Sequence, residues 1–276
     1  MSKRLLIVIN KNNEEAGKAS SCLEDFCKKN SYSYDKYDGW EISDPKNLPD
    51  KNFDLAVVFG GDGTMLRTSN FIGSNDIPIL GINYGNLGFL TNSSEPGVEK
   101  LVSDALDGKL KSESRCHLIV EVVGDKKTSK FIAMNEVSIR RSKSGRIVDF
   151  GININDEHVC DLRSDGVIAS TATGSTAYAL AAGGPLVAPT YKGVIIVPLA
   201  PHTLNSRPLV TDKDDLVEFD FSKDNKDEKL AISVDGEIKN IEGKVLKVVV
   251  QTDKNETTIL RYSNDTFYNR ISKVFF

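Results

Sequence analysis

The sequence predicts two domains of different class, an α/β domain with a parallel sheet followed by a β-rich domain. Up to about residue 108, continuous apolar runs alternate with segments whose apolar residues recur every three or four positions. That pattern is typical of strands buried on both faces and of amphipathic helices. Beyond residue 110 the apolar residues recur mainly at every second position, and turn signals such as Asp235-Gly236 separate the runs, as in antiparallel sheets. We therefore place the first domain at residues 1–108 and the second at residues 109–261.

The first domain begins with an apolar run at residues 5–9. This run is too short for the apolar region of a signal peptide, and it predicts a buried first strand. The alternation of strands and helices that follows predicts a Rossmann-like parallel sheet, whose ligands bind at the carboxyl ends of the strands. The other elements predicted here are a helix with Ala16, Ala19, Leu23, Phe26 and Cys27 on one face, a polar connection at 32–49, strands at 55–59 and 77–82, and a helix with Val98, Leu101, Val102, Ala105 and Leu106 on one face.

The second domain is predicted to be antiparallel and β-sandwich-like, since its short strands are separated by turns. A C-terminal segment, residues 264–274, predicts a capped helix with Phe267, Ile271 and Val274 facing inward. The spacing of these residues leaves open whether residues 262–276 return to the first domain. The predicted strands are at 118–123, 131–139, 148–154, 194–199, 216–221, 229–234, 244–250 and 257–262.

The composition excludes several classes of protein. Of the 276 residues, 39% are hydrophobic and 27% are charged, which fits a globular protein with a substantial core. A net charge of −4 argues against general nucleic-acid binding, and no apolar run approaches the ~20 residues needed to cross a bilayer. The four cysteines form no Cys-x-x-Cys pair, so we expect free thiols and a cytoplasmic protein with no structural zinc site.

The sequence Gly-Gly-Asp-Gly-Thr at residues 60–64 lies between a predicted strand and a predicted helix. Such a turn aims backbone N–H groups at one point and is a common phosphate site, and glycines there allow positive φ and close approach. A carboxylate repels phosphate, so Asp62 makes sense if a hydroxyl is activated there or a metal is held. The alternative is a tight turn in which Asp62 or Thr64 caps the helix.

A second polar segment, residues 170–178, carries six hydroxyl side chains in nine residues and precedes an Ala-rich stretch that ends at Gly183-Gly184-Pro185. The stretch predicts a short helix, and hydroxyls at its N-terminus predict a second anion or sugar site. The alternative is an N-cap cluster. Because a cap needs one hydroxyl rather than six, we favour contact with a ligand.

Four features taken together resemble the NAD kinase family: the glycine turn at 60–64, the glycine-rich segment 83–90, the pair Asn135-Glu136 and the hydroxyl-rich segment 171–178. The glycine turn alone is also similar to that of diacylglycerol kinases, sphingosine kinases and, more distantly, phosphofructokinases, but the combination is specific. One departure is Ala172, where the family usually has proline; it removes no functional group. Asp165-Gly166, Gly183-Gly184-Pro185 and residues 201–209 also look like that family.

The resemblance implies transfer of the γ-phosphoryl group of ATP to the 2′-hydroxyl of the adenosine ribose of NAD, giving NADP. Asp62 would be the general base, and the glycines beside it would steady the phosphates. It implies Mg²⁺ or another divalent cation arriving with ATP, and no permanently bound cofactor or metal. Inorganic polyphosphate as donor, NADH as acceptor and feedback by NADPH stay open.

The resemblance also implies a set of residues that contact the nucleotides, and a homodimer or homotetramer. An amide beside a carboxylate, as in Asn135-Glu136, can hold adenine or ribose hydroxyl groups. The simpler alternatives are a strand-end turn for that pair, a rim aromatic for Tyr84 and a solvated surface charge for Asp149. Besides catalytic Asp62, the predicted nucleotide-binding residues are Gly60, Gly61, Gly63, Thr64, Arg67, Tyr84, Asn86, Asn135, Glu136, Asp149, Arg163, Asp165, Thr171, Thr173, Ser175, Thr176, Ala177 and Tyr178.

Two other functions compete with this one. A lipid or sugar kinase would share the glycine turn, but Asn135-Glu136 and the hydroxyl-rich segment argue against it. A non-catalytic NADP(H)-binding module would have a decayed kinase site, whereas Asp62 is intact.

Overall fold

The computed structural model describes residues 2–42, 52–73, 75–85, 88–142, 147–224, 229–262 and 266–276. The chain divides into two compact units. The first contains Met1–Arg115 and Glu256–Phe276, and the second contains Cys116–Asn255. The unit boundaries therefore fall inside two long strands, and the C-terminal segment belongs to the first unit.

The secondary structure alternates between strands and helices at first and is then almost entirely strand. In chain order the elements are β1 (Arg4–Ile9), α1 (Glu14–Lys29), β2 (Ser33–Asp38), β3 (Leu55–Phe59), α2 (Asp62–Ile72), β4 (Ile79–Asn83), β5 (Asn92–Ser93), α3 (Val98–Leu106), β6 (Lys111–Gly124), β7 (Thr128–Ala133), β8 (Glu136–Arg141), β9 (Val148–Ile154), β10 (Glu157–Ser164), β11 (Gly166–Ser170), a 3₁₀ helix (Gly174–Thr176), α4 (Tyr178–Ala181), β12 (Ile195–Leu199), β13 (Leu209–Val210), β14 (Val217–Asp220), β15 (Leu230–Val234), β16 (Glu237–Lys239), β17 (Val245–Arg261) and α5 (Phe267–Phe275).

The first unit contains the predicted parallel sheet, with strands in the order β2-β1-β3-β4. The C-terminal part of β17 lies parallel to β4, where Ile259 pairs with Ile79. Every residue of β3 is buried, as its continuous apolar run predicts. Because parallel strands share one carboxyl edge, the turn after Phe59 and the segment after Asn83 both lie at that edge, where ligands of such sheets bind.

Strand β2 corrects one prediction, because residues 33–38 fall in the segment predicted to be a polar connection. They form a strand parallel to β1, at the end of the strand order. An edge strand needs only one neighbour and tolerates polar residues on its exposed side, so its apolar signal is weak. Residues 43–49 of that connection lie outside the described residues.

The second unit is antiparallel, as predicted. One sheet has the strand order β13-β12-β11-β8-β15-β16. A second set of antiparallel strands is formed by β10, β9, β14 and the N-terminal part of β17, and β6 pairs with β7. Buried residues from both sets form one hydrophobic core, for example Phe150, Val167 and Ile232. This shared core confirms the sandwich-like character of the unit.

The C-terminal helix corrects a second prediction. Helix α5 begins after Thr266, whose side chain accepts a hydrogen bond from the N–H of Asn269 at 3.2 Å. Its buried residue is Arg270, whereas Val274, which was predicted to face inward, is 48% exposed. The apolar spacing does not predict the buried position because Arg270 is charged. Its guanidinium donates to backbone carbonyls, and these hydrogen bonds offset the cost of burying the charge.

Among the helices in the described part of the chain, none is both long enough and apolar enough to cross a lipid bilayer.

Candidate active site

Asp62 is the first residue of helix α2 and lies directly after strand β3 and the two glycines. Its carboxylate faces the segment that follows β4: Oδ2 accepts the N–H of Phe89 at 2.7 Å, and Oδ1 accepts the N–H of Leu90 at 3.0 Å. The N-cap of α2 is Gly61, so the interpretation of Asp62 as a helix cap is wrong. The carboxylate is instead fixed between two glycine-rich segments at the carboxyl edge of the sheet.

The peptide groups that hold Asp62 are themselves held by two arginines that are not among the residues predicted from the sequence. Arg270 donates from Nη1 to the carbonyl of Gly88, and Arg261 donates from Nη2 to the carbonyl of Phe89. Both side chains are 2% exposed. No motif marks these residues, because they act through backbone atoms more than 170 positions away in sequence.

Of the glycines around Asp62, Gly60 is needed for space, and none is needed for positive φ. None of Gly60, Gly61 and Gly63 has positive φ, so that part of the prediction is wrong. A Cβ at residue 60 would lie 2.6 Å from Oγ1 of Thr64, so Gly60 allows the helix to approach the strand end. Gly61 has no atom within 4 Å of such a position, and Gly63 is exposed, so that face of the turn is open.

Two further residues predicted from this unit, Arg67 and Tyr84, have contacts of their own. The Arg67 guanidinium lies 3.9 Å from the ring centroid of Trp40, and its Nε donates to the carbonyl of Gly39 at 2.6 Å. The Tyr84 ring packs at 6.3 Å from that of Phe59, and burial raises the pKa of Tyr84 to about 12. Their roles in binding stay predictions, and Asn86 lies outside the described residues.

In the second unit the structure brings Asn135-Glu136 together with the hydroxyl-rich segment. The N–H of Thr171 donates to the carbonyl of Asn135 at 2.8 Å, and the Thr171 hydroxyl donates to the carbonyl of Met134 at 2.7 Å. Glu136 on β8 pairs with Ser170 on β11. Two segments that are more than thirty residues apart in sequence thus form one polar cluster.

Asp235 organises this cluster, although the sequence pattern predicts only a turn at Asp235-Gly236. It lies between β15 and β16 with a φ of 48°. Its carboxylate accepts three consecutive N–H groups, from Met134 at 2.9 Å, Asn135 at 2.7 Å and Glu136 at 3.1 Å. The carboxylate therefore fixes the backbone that presents Asn135 and Glu136.

Three buried side-chain oxygens in this cluster have no hydrogen-bond partner among the residues that the structure describes: Oδ1 of Asn135, Oε2 of Glu136 and Oγ1 of Thr173. Leaving a buried polar atom unpaired costs about 1–3 kcal/mol, so we expect a bound ligand or an ordered water to supply the missing partners. Burial, with the nearby charge of Asp235, raises the pKa of Glu136 to about 7. The cluster can therefore both accept and donate hydrogen bonds near neutral pH.

The hydroxyls of Ser175 and Thr176 make local hydrogen bonds to the backbone. The hydroxyl of Ser175 donates to the carbonyl of Ala172 at 2.7 Å, and that of Thr176 donates to the carbonyl of Thr173 at 3.2 Å. The short helix predicted after the segment is present as α4, with four residues, and a 3₁₀ turn at Gly174–Thr176 separates it from the earlier hydroxyls. Of the predicted hydroxyls here, Thr173 is the one whose oxygen is both buried and unpaired.

The remaining predicted residues lie toward the surface of the second unit. Arg163 Nε pairs with Asp149 Oδ1 at 2.9 Å across strands β9 and β10. Asp165 is exposed, and the N–H of Ala177 donates to the carbonyl of Gly174 at 2.9 Å. The exposed Tyr178 ring lies 6.0 Å from the Arg140 guanidinium. Their contact with nucleotide stays a prediction.

Within the ranges that the structure describes, no group of three or more His, Cys, Asp or Glu side chains is arranged to hold a metal ion.

Comparisons with known proteins agree with these two units. Residues 6–110 match the family model of the ATP-NAD kinase N-terminal domain, and residues 134–260 match that of the ATP-NAD kinase C-terminal domain. An NAD kinase of Tolumonas auensis is 37% identical over 221 residues, which cover 79% of this chain and 75% of that protein. An NAD kinase of Gemmatimonas aurantiaca is 36% identical over 238 residues, 84% of this chain and 81% of that protein.

Two solved structures have the same fold. A yeast NADH kinase complexed with NADH has a TM-score of 0.86 and 22% identity, covering 99% of this chain and 87% of that one. An NAD kinase from Archaeoglobus fulgidus in complex with ATP has a TM-score of 0.79 and 24% identity, covering 98% of each chain. The predicted fold class is confirmed.

Proposed function

Because the chain belongs to the NAD kinase family and is an NAD-phosphorylating enzyme, we propose that Asp62 is the general base of its reaction. In that reaction the γ-phosphoryl group of ATP passes to the 2′-hydroxyl of the adenosine ribose of NAD, and NADP is formed. The observation that carries the proposal is the fixed Asp62 carboxylate at the carboxyl edge of the sheet, held by the N–H groups of Phe89 and Leu90.

Asp62 is suited to accept a proton. A ribose hydroxyl is a poor nucleophile at neutral pH, and a positioned base typically contributes ~10²–10⁴-fold to the rate. An ionised carboxylate offers roughly four acceptor positions, and the N–H groups of Phe89 and Leu90 take two of them. The remaining positions can accept the hydroxyl proton while the carboxylate stays in place, which avoids the loss of orientation that slows loosely held bases.

The phosphates of ATP are proposed to lie at the start of helix α2. The first N–H groups of a helix have no partner within it, and the open face at Gly61 and Gly63 leaves them accessible. The proposed donor is the Mg²⁺ complex of ATP, in which phosphate oxygens hold the cation and their charge is partly neutralised. The first unit would therefore contribute proton removal by Asp62 and phosphate binding by backbone N–H groups.

NAD is proposed to supply the partners that Asn135, Glu136 and Thr173 lack. Adenine and ribose carry both donors and acceptors, and these three side chains offer both. Asp235 supports this binding by fixing residues 134–136 through their N–H groups. From the family alone we also propose a cytoplasmic homodimer or homotetramer. Light scattering on the purified protein would test the oligomeric state.

The proposal is tested by incubating the purified protein with NAD, ATP and Mg²⁺ and measuring NADP. We expect NADP to form in proportion to enzyme and time. Parallel reactions with polyphosphate in place of ATP, and with NADH in place of NAD, identify the donor and acceptor. Absence of product with retained binding of NADP would support a binding module instead, and phosphorylation of a lipid or free sugar would support the other kinase classes.

A further inference from the structure

We propose that Arg261 and Arg270 are positioning residues that act on Asp62 through two peptide groups of the segment 88–90. The inference rests on the proposed role of Asp62 as base, and it assigns to the C-terminal part of the chain a function in the reaction. The two arginines lie at the end of β17 and in α5.

Each arginine is joined to one carboxylate oxygen of Asp62 by a single peptide group. The peptide between residues 88 and 89 accepts from Arg270 at its carbonyl and donates its N–H to Oδ2. The peptide between residues 89 and 90 accepts from Arg261 at its carbonyl and donates its N–H to Oδ1. The two chains of hydrogen bonds run side by side, so the carboxylate is fixed in orientation as well as in position.

These hydrogen bonds strengthen one another. A positive donor on a carbonyl polarises the peptide and makes its N–H a better donor, by roughly 10–30% per bond in a protein interior. Both arginine residues are 2% exposed, and their guanidinium groups meet on a third carbonyl, that of Thr91. Burial, with the charges of Arg270 and Arg115, lowers the pKa of Arg261 to about 10, which still leaves it charged at neutral pH.

The arginines are anchored from their other sides. Arg261 Nε donates to Glu113 Oε2 at 3.2 Å, and Arg115 pairs with the same carboxylate oxygen at 2.6 Å. The Phe89 side chain stacks on that of Phe275 with ring centroids 6.0 Å apart, so α5 contacts the segment through an aromatic ring as well. The docking of α5 is thereby coupled to the geometry of Asp62.

A purely structural role would be limited to holding α5 in place, and the test separates the two roles. The variants are Arg270→Met, which keeps length without charge, and Arg270→Lys, which keeps charge but not the two-pronged geometry. The matched control is Ile271→Ala, the half-buried neighbour on the same helix. All are assayed well below their unfolding temperatures, for kcat, KM and the Kd of NAD.

We expect Arg270→Met to lower kcat by about 10- to 100-fold, the usual cost of a misplaced reacting group, with less than about a threefold change in Kd for NAD. Arg270→Lys should recover part of the loss, and Ile271→Ala should stay within about threefold of wild type. Equal losses of kcat in Arg270→Met and Ile271→Ala would overturn the inference.

A double-mutant cycle with Asp62→Asn shows whether Arg270 acts through Asp62. If it does, Arg270→Met should lower the residual rate of Asp62→Asn by less than about twofold, because there is no base left to position. The same fold-loss in both backgrounds would contradict the inference. Near-normal turnover by Asp62→Asn would instead refute the proposed base.

Hydrogen exchange gives a readout that does not depend on turnover. The amides of Phe89 and Leu90 should exchange slowly in wild type and at least about tenfold faster in Arg270→Met, with no such change in Ile271→Ala. Unchanged protection in Arg270→Met would overturn the positioning role, whatever the activity of the Asp62 variant.

Discussion

Gly88 lies against the carboxylate of Asp62: a Cβ at residue 88 would overlap Oδ1 and lie 2.6 Å from Cγ of Asp62. The backbone at residue 88 does not have the positive φ that favours glycine. Glycine is therefore required at this position for space alone. The close approach is what allows the N–H groups of residues 89 and 90 to reach both oxygens of Asp62.

Substitution Gly88→Ala should therefore impair catalysis more than folding. The added methyl group forces the carboxylate and the segment apart, and we expect kcat to fall by at least about tenfold. Overpacking of this kind costs about 1–3 kcal/mol of stability. Steady-state kinetics and urea unfolding measure the two effects.

The matched control is Gly17→Ala in helix α1, where a Cβ has no atom within 4 Å. It should leave kcat unchanged and raise the free energy of unfolding by roughly 0.5–1 kcal/mol, as alanine does within helices. If the kcat of Gly88→Ala were within about twofold of that of this control, the close approach of residue 88 to Asp62 would not contribute to catalysis.

Removing the hydroxyl of Thr171 and removing that of Thr173 should affect the stability of the protein differently. Thr171 donates to the carbonyl of Met134 and accepts the N–H of Gly174 at 3.1 Å, so Thr171→Val should cost about 1–3 kcal/mol of stability. Within the described parts of the chain the Thr173 hydroxyl oxygen has no partner, so Thr173→Val should leave stability unchanged or slightly higher. Losing a hydrogen bond to ligand should weaken NAD binding by about 5- to 10-fold.

Urea unfolding and calorimetric titration with NAD distinguish these outcomes. The two variants serve as controls for each other, since the substitution is the same. Unchanged NAD affinity in Thr173→Val would show that its hydroxyl does not contact the dinucleotide.

The stability of the protein should depend on pH through Glu136. Its pKa is raised from 4.5 to about 7 by burial and by Asp235, so the folded state holds a proton that the unfolded state has released. The stabilising contribution is complete below pH 4.5 and is lost as pH rises to about 7. Over that window the loss of unfolding free energy amounts to at most roughly 3–4 kcal/mol.

Glu136→Gln removes this titration while keeping the side-chain shape. The free energy of unfolding of wild type minus that of the variant should fall between about pH 4.5 and 7 and be level above it. Urea unfolding at half-unit pH steps gives the difference, in which other titrating groups cancel. A difference that stays constant over this range would show that Glu136 is ionised in the folded protein throughout it.

The parts of the fold that could be predicted are those in which one segment carries its own signal. Strands β1 and β3 are continuous apolar runs because parallel strands are buried on both faces. Strand β2 was missed because an edge strand needs little apolar surface. The sequence predicts helix α5 correctly, but it predicts that Val274 faces inward. The buried residue is Arg270, because its guanidinium binds carbonyls that are distant in the sequence.

The same distinction applies to the candidate site. Asp62 and Asn135-Glu136 stand in recognisable local patterns, and the structure gives each a defined environment. Asp235, Arg261 and Arg270 could not be found in this way because they bind backbone atoms between 99 and 182 residues away. A backbone atom carries no side-chain signature, so neither partner of such a contact is marked in the sequence.

The central claim is that Asp62 removes the proton from the ribose hydroxyl of NAD, and single-turnover formation of NADP by Asp62→Asn tests it most directly. Asparagine keeps the size and the acceptor oxygen but cannot take up a proton at neutral pH. We predict that Kd for NAD stays within about threefold of wild type and that the rate of the chemical step falls by ~10²–10⁴-fold. A single-turnover rate close to that of wild type would contradict the claim.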